Sequence, residues 1–349
     1  MKAAVYYGPG DIRVEERPEP EAREDNLIAD VRCCAICGTD VKLATIGHPR
    51  WKPPVIIGHE FCGRLVHVGR NTRGFAIGDR VTMATTLACN RCPICARGLQ
   101  NMCPDAKPIS MVYDGAFAPR IAIPALALAG GNVVKVPDGV SDEAAALAEP
   151  MSCAINALDL VGLRVGDNVL IVGGGPLGAL HAELAKAEGA AKVMIVQRSE
   201  PRLSLLRKLK DVLVIDGKED VGARVARETN GLGADVVSVC APARSAQEQA
   251  LGYARKGGGI SLFASLAKDA AAITLDSRAI HYGELRIVGA SDSRPEHVRK
   301  AIALMAAGRI AERQLVTHRV ALKDIHEGLE LMKNKQSLKV LVYPEGRAA

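Results

Sequence analysis

A chain of 349 residues with 48% hydrophobic content can form about two domains, each with its own core. The formal net charge of +6 is spread among acids without a Lys/Arg-rich run, which argues against nucleic-acid binding. No stretch approaches the roughly 18–20 apolar residues of a membrane span, and the first ten residues lack the apolar core of a signal peptide. We therefore expect a cytoplasmic protein that binds neither nucleic acid nor membrane, and whose ten cysteines are reduced.

The first 154 residues predict a β-rich domain, because short apolar runs are broken repeatedly by Gly, Pro and Asp. The first two strands flank a turn at Gly8-Pro9-Gly10. Strands are expected at residues 2–7, 12–16, 55–57, 65–68 and 79–82.

A loop-like lobe at about residues 86–106 carries four cysteines with the spacing C-x2-C-x2-C-x7-C. Tight C-x2-C steps present several thiolates to one tetrahedral ion, and a fourth thiolate closes the shell. The spacing predicts a structural zinc site, with two disulfides or four unrelated thiols as the alternative reading. The predicted ligands are Cys89, Cys92, Cys95 and Cys103.

Residues 155–289 alternate between apolar strands and helical segments, which predicts a doubly wound parallel sheet of the Rossmann type. The helix after the first strand has Leu177, Leu180 and Leu184 on one face and stops at Gly189. Strands are expected at residues 168–172, 192–196, 212–215, 235–239, 260–263 and 285–288.

Residues 290–349 predict a return to the first domain. One helix is expected from Pro295 to Gly308 and another over residues 323–333. The final strand at 338–342 has no local partner, so we expect it to pair with the N-terminal β domain.

A dinucleotide-binding loop is predicted where Gly173, Gly175 and Gly178, with Pro176 and Leu177 between them, fit G-x-G-x-x-G. The first glycine permits the tight turn, the second lets backbone N–H groups approach a pyrophosphate, and the third lets helix and strand pack closely. A plain glycine-rich turn is the alternative, but the loop lies between an apolar strand and an amphipathic helix, as the motif requires.

The end of the second strand of this domain favours NADP over NAD. An NAD-binding domain usually places an acid there for the ribose hydroxyls, whereas this chain has Gln197 followed by Arg198, with Arg202 nearby. A missing carboxylate removes repulsion against a 2′-phosphate, and an arginine can pair with it. Alternatively, Gln197 still binds ribose and Arg198 is solvated.

Cys37-Gly38-Thr39-Asp40 and Gly58-His59-Glu60 supply a thiolate and an imidazole, a ligand pair that suits zinc. Together with the glycine loop, the cysteine lobe and Glu149-Pro150-Met151-Ser152, these segments resemble the zinc-dependent medium-chain alcohol and polyol dehydrogenases over essentially the whole chain. The similarity is greatest to the sorbitol and threonine dehydrogenase-like branch. It implies a GroES-like catalytic domain beside the Rossmann domain.

The resemblance implies a second, catalytic zinc held by Cys37 and His59, with Glu149 at the third family position. Glu60 lies in the same motif as His59. It could bind the zinc directly, or it could exchange with water or Glu149 as a zinc ligand. Taken singly, His59 could be a core histidine and Glu149 an ordinary helix carboxylate.

The resemblance also assigns roles in proton transfer. Asp40 is expected to accept the free N–H of His59 and so fix its orientation. An alcohol made acidic by zinc would give its proton to Thr39 and its hydride to the nicotinamide. Thr39 could instead be a strand residue, and Lys42 stands where many relatives have a histidine that passes the proton on.

The sequence thus predicts an NAD(P)-linked oxidoreductase acting on a secondary alcohol or the matching ketone, with a polyol, sugar or cyclitol as substrate. Family resemblance suggests a homodimer or homotetramer. A threonine-type amino-alcohol dehydrogenase is the alternative within the family, and a catalytically silent zinc- and dinucleotide-binding protein is the alternative outside it.

Overall fold

The computed structural model describes residues 1–345 of the chain. Numbered along this part of the chain, the strands are β1 (Lys2–Gly8), β2 (Asp11–Glu16), β3 (Leu27–Ala35), β4 (Val55–Ile56), β5 (Glu60–Val68), β6 (Arg80–Met83), β7 (Arg120–Ile123), β8 (Val133–Lys135), β9 (Asn168–Val172), β10 (Lys192–Gln197), β11 (Leu213–Asp216), β12 (Ala234–Val239), β13 (Ala254–Leu262), β14 (Arg286–Gly289), β15 (Val316–Ala321) and β16 (Lys339–Tyr343).

The helices in the same part of the chain are mostly short. They are α1 (Gly38–Ile46), α2 (Pro93–Ala96), α3 (Ala125–Ala129), α4 (Asp142–Ala146), α5 (Ala148–Val161), α6 (Pro176–Ala187), α7 (Glu200–Leu206), α8 (Val221–Glu228), α9 (Arg244–Gln249), α10 (Ser277–Gly283), α11 (Pro295–Ala306), α12 (Glu312–Leu315) and α13 (Ile325–Lys333). Among them, none is both long enough and apolar enough to cross a lipid bilayer.

The chain forms two compact units. The first contains Met1–Ser152, Asp292–Asn334 and the chain from Lys339, and the second contains Cys153–Ser291 with Lys335–Leu338. The second unit is therefore an almost continuous segment, whereas the first is assembled from three separate stretches.

The first unit is built on two β-sheets. A three-stranded sheet has the order β2-β1-β4, and a seven-stranded sheet runs β15-β16-β3-β5-β6-β8 with β7 also paired to β3. The N-terminal strands agree with the sequence prediction, but β3 was not predicted and β5 begins five residues earlier than expected. Helix α1 also shows that the strand interpretation of Thr39 was wrong, since Thr39 lies in its first turn.

The second unit confirms the predicted doubly wound sheet. Its six strands run β11-β10-β9-β12-β13-β14, and every neighbouring pair is parallel. This is the strand order of the dinucleotide-binding fold, in which β9 lies at the centre and is followed by the phosphate-binding loop. The main difference from prediction is β13, which begins six residues earlier than the expected strand at 260.

Strand β16 joins the seven-stranded sheet of the first unit. Strand β16 pairs antiparallel with β3, with Leu341 opposite Ala35, and parallel with β15 on its other side. All five residues of β16 are buried. The end of the chain therefore completes the sheet that carries the residues discussed next.

Candidate active site and metal centres

Pairing of β3 with β5 brings Cys37 and His59 together. Ala35 at the end of β3 lies opposite Glu60 at the start of β5, so the residues just beyond these strand ends meet. Gly58 adopts φ +94°, and a Cβ there would lie 2.7 Å from the ring of Phe117. Only glycine fits this approach, which makes Gly58 part of the local geometry that places His59.

Cys37, His59 and Glu60 offer ligand atoms that lie within 4.8 Å of one another. Burial opposes protonation of His59, but the negative charges of Cys37, Asp40 and Glu149 outweigh it and raise the pKa of His59 well above its ordinary value. The cluster therefore stabilises positive charge at this position. A thiolate, an imidazole and a carboxylate within this distance are a donor set that fits zinc.

Two side-chain oxygen atoms lie near Nδ1 of His59. Ser110 Oγ lies 3.3 Å from it, and Asp40 Oδ1 lies at 4.0 Å, which is too long for a hydrogen bond. Asp40 Oδ2 accepts the backbone N–H of Cys37 at 2.9 Å, while the buried Oδ1 has no hydrogen-bond partner among the described residues. Asp40 thus fixes the loop of Cys37, and Ser110, which the sequence did not indicate, is the closer neighbour of His59.

Glu60 is also paired with a lysine from the end of the chain. The Nζ of Lys339 forms an ion pair with Glu60 and donates to the carbonyl of Ile36 at 3.0 Å. Only 2% of the Lys339 side chain and 1% of the Glu60 side chain are exposed. Sequence analysis could not find this partner, because it is 279 residues away along the chain.

Glu149 is not a member of the Cys37 cluster among the described residues; instead, its carboxylate lies within 4.8 Å of that of Asp292. Thr85 donates to Glu149 at 3.3 Å, and Thr86 donates to Asp292. Both threonines lie just after β6. Each of these two hydrogen bonds orients one of the two carboxylates. Burial is the main cause that raises the pKa of Glu149 to about 8. The charge of His59 acts in the opposite direction and lowers this pKa.

The four cysteines of the lobe lie close together. The sulfur atoms of Cys89, Cys92, Cys95 and Cys103 lie within 4.8 Å of one another, with 3.5 Å between Cys92 and Cys95. Tetrahedral ligands at about 2.3 Å from zinc would be about 3.8 Å apart. Backbone N–H groups support the thiolates: Cys95 donates to Cys92 Sγ at 3.4 Å, and Cys89 donates to Cys103 Sγ at 3.3 Å. The donor set fits a closed zinc site.

The glycine loop has the close contacts that the motif requires. Gly173 has φ +108°, and a Cβ at Gly178 would lie 2.0 Å from the Gly173 carbonyl oxygen. Helix α6 begins at Pro176, directly after Gly175. The free backbone N–H groups at this helix start suit an anion such as a pyrophosphate.

The last residue of β10 and the residues after it present hydrogen-bond donors. Gln197 Oε1 accepts the backbone N–H groups of Arg198 at 2.7 Å and Ser199 at 3.1 Å. Its oxygen is therefore used within its own loop. The Arg202 guanidinium lies against Gly175, with one nitrogen 3.5 Å from the position of a Cβ there, and its buried Nε has no hydrogen-bond partner among the described residues. Arg198 donates to the Gly217 carbonyl at 3.1 Å.

Two family descriptions match the chain. Residues 23–138 match the alcohol dehydrogenase GroES-like domain, and residues 176–307 match the zinc-binding dehydrogenase family. The first match lies within the β-rich unit, and the second covers most of the parallel-sheet unit and extends into residues 292–307 of the first unit.

Relatives of known name cover the whole chain. A sorbitol dehydrogenase of Halalkalibacterium halodurans is 32% identical over 99% of both chains. An L-threonine 3-dehydrogenase of Bacillus licheniformis is 31% identical, again over 99% of both. Among solved structures, a candidate zinc-binding dehydrogenase from Sinorhizobium meliloti bound to NADP is 30% identical, with a TM-score of 0.89 over 98% of this chain and 99% of that one. The chain belongs to the zinc-dependent medium-chain alcohol and polyol dehydrogenases, a family of oxidoreductases.

Proposed function

We propose that the protein transfers a hydride between a secondary alcohol, such as a polyol, sugar or cyclitol, and NADP(H). The observation that supports this most directly is the Cys37, His59 and Glu60 cluster, whose charge favours a cation. A zinc ion bound there would supply Lewis-acid chemistry that makes a hydroxyl group acidic. Sorbitol dehydrogenase activity in a relative that matches the full length favours a polyhydroxylated substrate.

The side chains around the cluster have separate tasks in this proposal. Cys37 and His59 hold the ion, Glu60 and Glu149 supply exchangeable carboxylates, and Asp40 fixes the backbone of Cys37. Thr39 is half-buried in the first turn of α1, where its hydroxyl relays the substrate proton by accepting it as it gives up its own proton to water. Lys42 is exposed on the same helix and stands where many relatives have a histidine, so in this chain solvent water takes the proton from Thr39.

We assign the first unit to catalysis and the second to dinucleotide binding. The lobe cysteines hold a second zinc, which is structural because four thiolates leave no coordination position for substrate. The proposed protein therefore contains two zinc ions per chain. A cytoplasmic location stays a prediction from the sequence.

NADP is the preferred cofactor in this proposal. With its oxygen engaged by backbone N–H groups, Gln197 can offer only its NH₂ group, and Arg198 and Arg202 add further donors. Donors suit a 2′-phosphate, whereas the ribose hydroxyls of NAD are usually held by a carboxylate acceptor. A solved structure of a related protein contains NADP.

The reaction is tested by following reduced-cofactor absorbance across a panel of polyols, cyclitols and amino alcohols, with NAD and with NADP. We expect turnover that stops after metal removal and is restored by zinc. Cys37→Ala should abolish turnover while the lobe zinc is retained, so elemental analysis should find one zinc per chain instead of two. Near-normal turnover in Cys37→Ala would refute the proposed site.

Cofactor preference is tested with Arg198→Ala. One charge-assisted hydrogen bond is worth about 1.5–3 kcal/mol, so kcat/KM with NADP should fall about ten- to a hundred-fold. The value with NAD should change little. Arg207→Ala is the matched control, because this arginine pairs with Glu200 on the surface of the same unit. Equal losses with both cofactors would reject the NADP assignment.

An amino alcohol is the second candidate substrate. The carboxylates of Glu149 and Asp292 lie within 4.8 Å of each other near the His59 cluster, and such a pair could hold a protonated amine. A relative that matches the full length is an L-threonine 3-dehydrogenase. Asp292→Asn distinguishes the two substrate classes, because it should raise KM for amino alcohols far more than for polyols.

We also propose that the chain forms a homo-oligomer through the free side of β14. This strand is at one edge of the six-stranded sheet, and no residue from 262 to 292 is buried. Tyr282 on the adjacent α10 is 62% exposed. Exposed sheet edges are normally covered, and a second copy of the same edge can cover this one.

A further inference from the structure

Lys339 contacts both segments that carry the proposed metal ligands. Its ammonium group pairs with Glu60, the residue after His59, and donates to the carbonyl of Ile36, the residue before Cys37. It is the first residue of β16, whose pairing with β3 fixes it there. One buried cation therefore holds the two chain segments in position, and it does so from the last strand of the chain.

The contact with Glu60 has an electrostatic consequence for a cation in the cluster. Oε2 of Glu60 is the atom paired with Lys339, while the carboxylate is also within 4.8 Å of the ligand atoms of Cys37 and His59. A carboxylate that shares its charge with an ammonium group attracts a metal ion less strongly than a free one does. The ammonium group itself also repels the ion.

We propose that Lys339 is a positioning residue of the metal site, which keeps Glu60 a weak ligand that water or substrate can displace. The inference rests on the proposed function and deepens it, because catalytic zinc sites need an open position whereas structural sites are closed. Without Lys339, Glu60 would be a buried carboxylate beside a dication, and it would close the coordination shell.

The test measures zinc release from the full-length, zinc-loaded protein to a chromogenic chelator. Zinc release from the wild type is compared with release from Cys37→Ala. The phase of release that is missing in this variant is assigned to the Cys37 site. In Lys339→Met this phase should be about ten- to a hundred-fold slower, the range that one charge-assisted hydrogen bond spans. KM for the alcohol should rise by a similar factor, with a smaller change in kcat. Lys339→Arg keeps the charge and should release zinc as the wild type does.

A double variant isolates the role of Glu60. The double variant with Glu60→Gln and Lys339→Met should release zinc at the rate of Glu60→Gln alone. The reason is that position 60 then has no carboxylate that the loss of Lys339 could free from its ion pair. If Lys339→Met does not fold, Lys339→Gln serves in its place, since it keeps a donor for the Ile36 carbonyl without the charge. Lys192→Met removes an ion pair of the second unit and should leave zinc release unchanged.

The outcomes separate this inference from the proposed function. Zinc release from Lys339→Met at the wild-type rate or faster would overturn the inference, as would slow release that persists in the double variant. The proposed function would survive both results. A wild-type protein that turns over alcohol without any Cys37-dependent zinc would overturn the proposed function and the inference together.

Discussion

Acidification should destabilise the protein through His181 of the second unit. This histidine is fully buried in α6, and its ring packs against Phe263 with centroids 4.7 Å apart. Nδ1 lies 2.7 Å from the carbonyl oxygen of Leu177, while the buried Nε2 has no hydrogen-bond partner among the described residues. Burial lowers the pKa of His181 from 6.5 to about 4, partly opposed by the bond to Leu177.

The sign and size of the effect follow from proton linkage. Because the folded pKa is below the unfolded one, the unfolded chain binds more protons between pH 4 and 6.5. The contribution of neutral His181 to stability is complete above pH 6.5 and is lost as the pH falls towards 4. At about 1.36 kcal/mol per pH unit, the loss reaches about 3.4 kcal/mol below pH 4 and is about 2 kcal/mol at pH 5.

The assay compares the free energy of urea unfolding at pH 5 and pH 7.5, followed by circular dichroism with zinc held constant. The drop between these pH values should be about 2 kcal/mol smaller in His181→Leu than in the wild type. Other titrating groups contribute equally to both proteins and cancel in the comparison. His281→Leu alters an exposed histidine and should leave the drop unchanged. An equal drop in His181→Leu and wild type would refute the reasoning.

Three further predictions concern stability and assembly. Cys95→Ser opens the lobe site and should lower Tm by roughly 5–10 °C before it affects kcat, since structural zinc supplies folding free energy; an unchanged Tm would contradict this. Arg319→Met removes a bidentate pair with Glu143, in which both contacts are 2.6 Å long. This change should lower the free energy of urea unfolding by about 1 kcal/mol. Arg319→Lys should lower it less, because a lysine keeps the charge but not the bidentate geometry. Tyr282→Asp should lower the mass measured by light scattering if a second copy covers α10, and an unchanged mass would place the interface elsewhere.

Features with a local sequence pattern could be predicted. The glycine loop and the lobe cysteines each lie within about 15 residues, so their spacing alone indicates their geometry. The strands of the second unit were predicted within one residue at most ends, because buried parallel strands form continuous apolar runs.

Elements without such a pattern could not be predicted. Strand β3 is buried on both faces over its last three residues, Cys33 to Ala35, so no alternation of apolar and polar residues marks it. Helix α1 contains β-branched residues such as Val41 and Thr45, which favour strands, and its position depends on tertiary contacts. Partners distant in sequence, such as Ser110 for His59 and Lys339 for Glu60, appear only once the sheet is assembled.

The pairing of β16 with β3 affects how the protein is made. During synthesis, the first 152 residues leave the ribosome long before their last sheet partners exist. The parallel-sheet unit needs only four residues from beyond Ser291 and can reach nearly its full set of contacts while translation continues. The β-rich unit must wait for residues 339–343, so a ribosome that stalls before this point would leave β3 with an open edge and Glu60 without its cation.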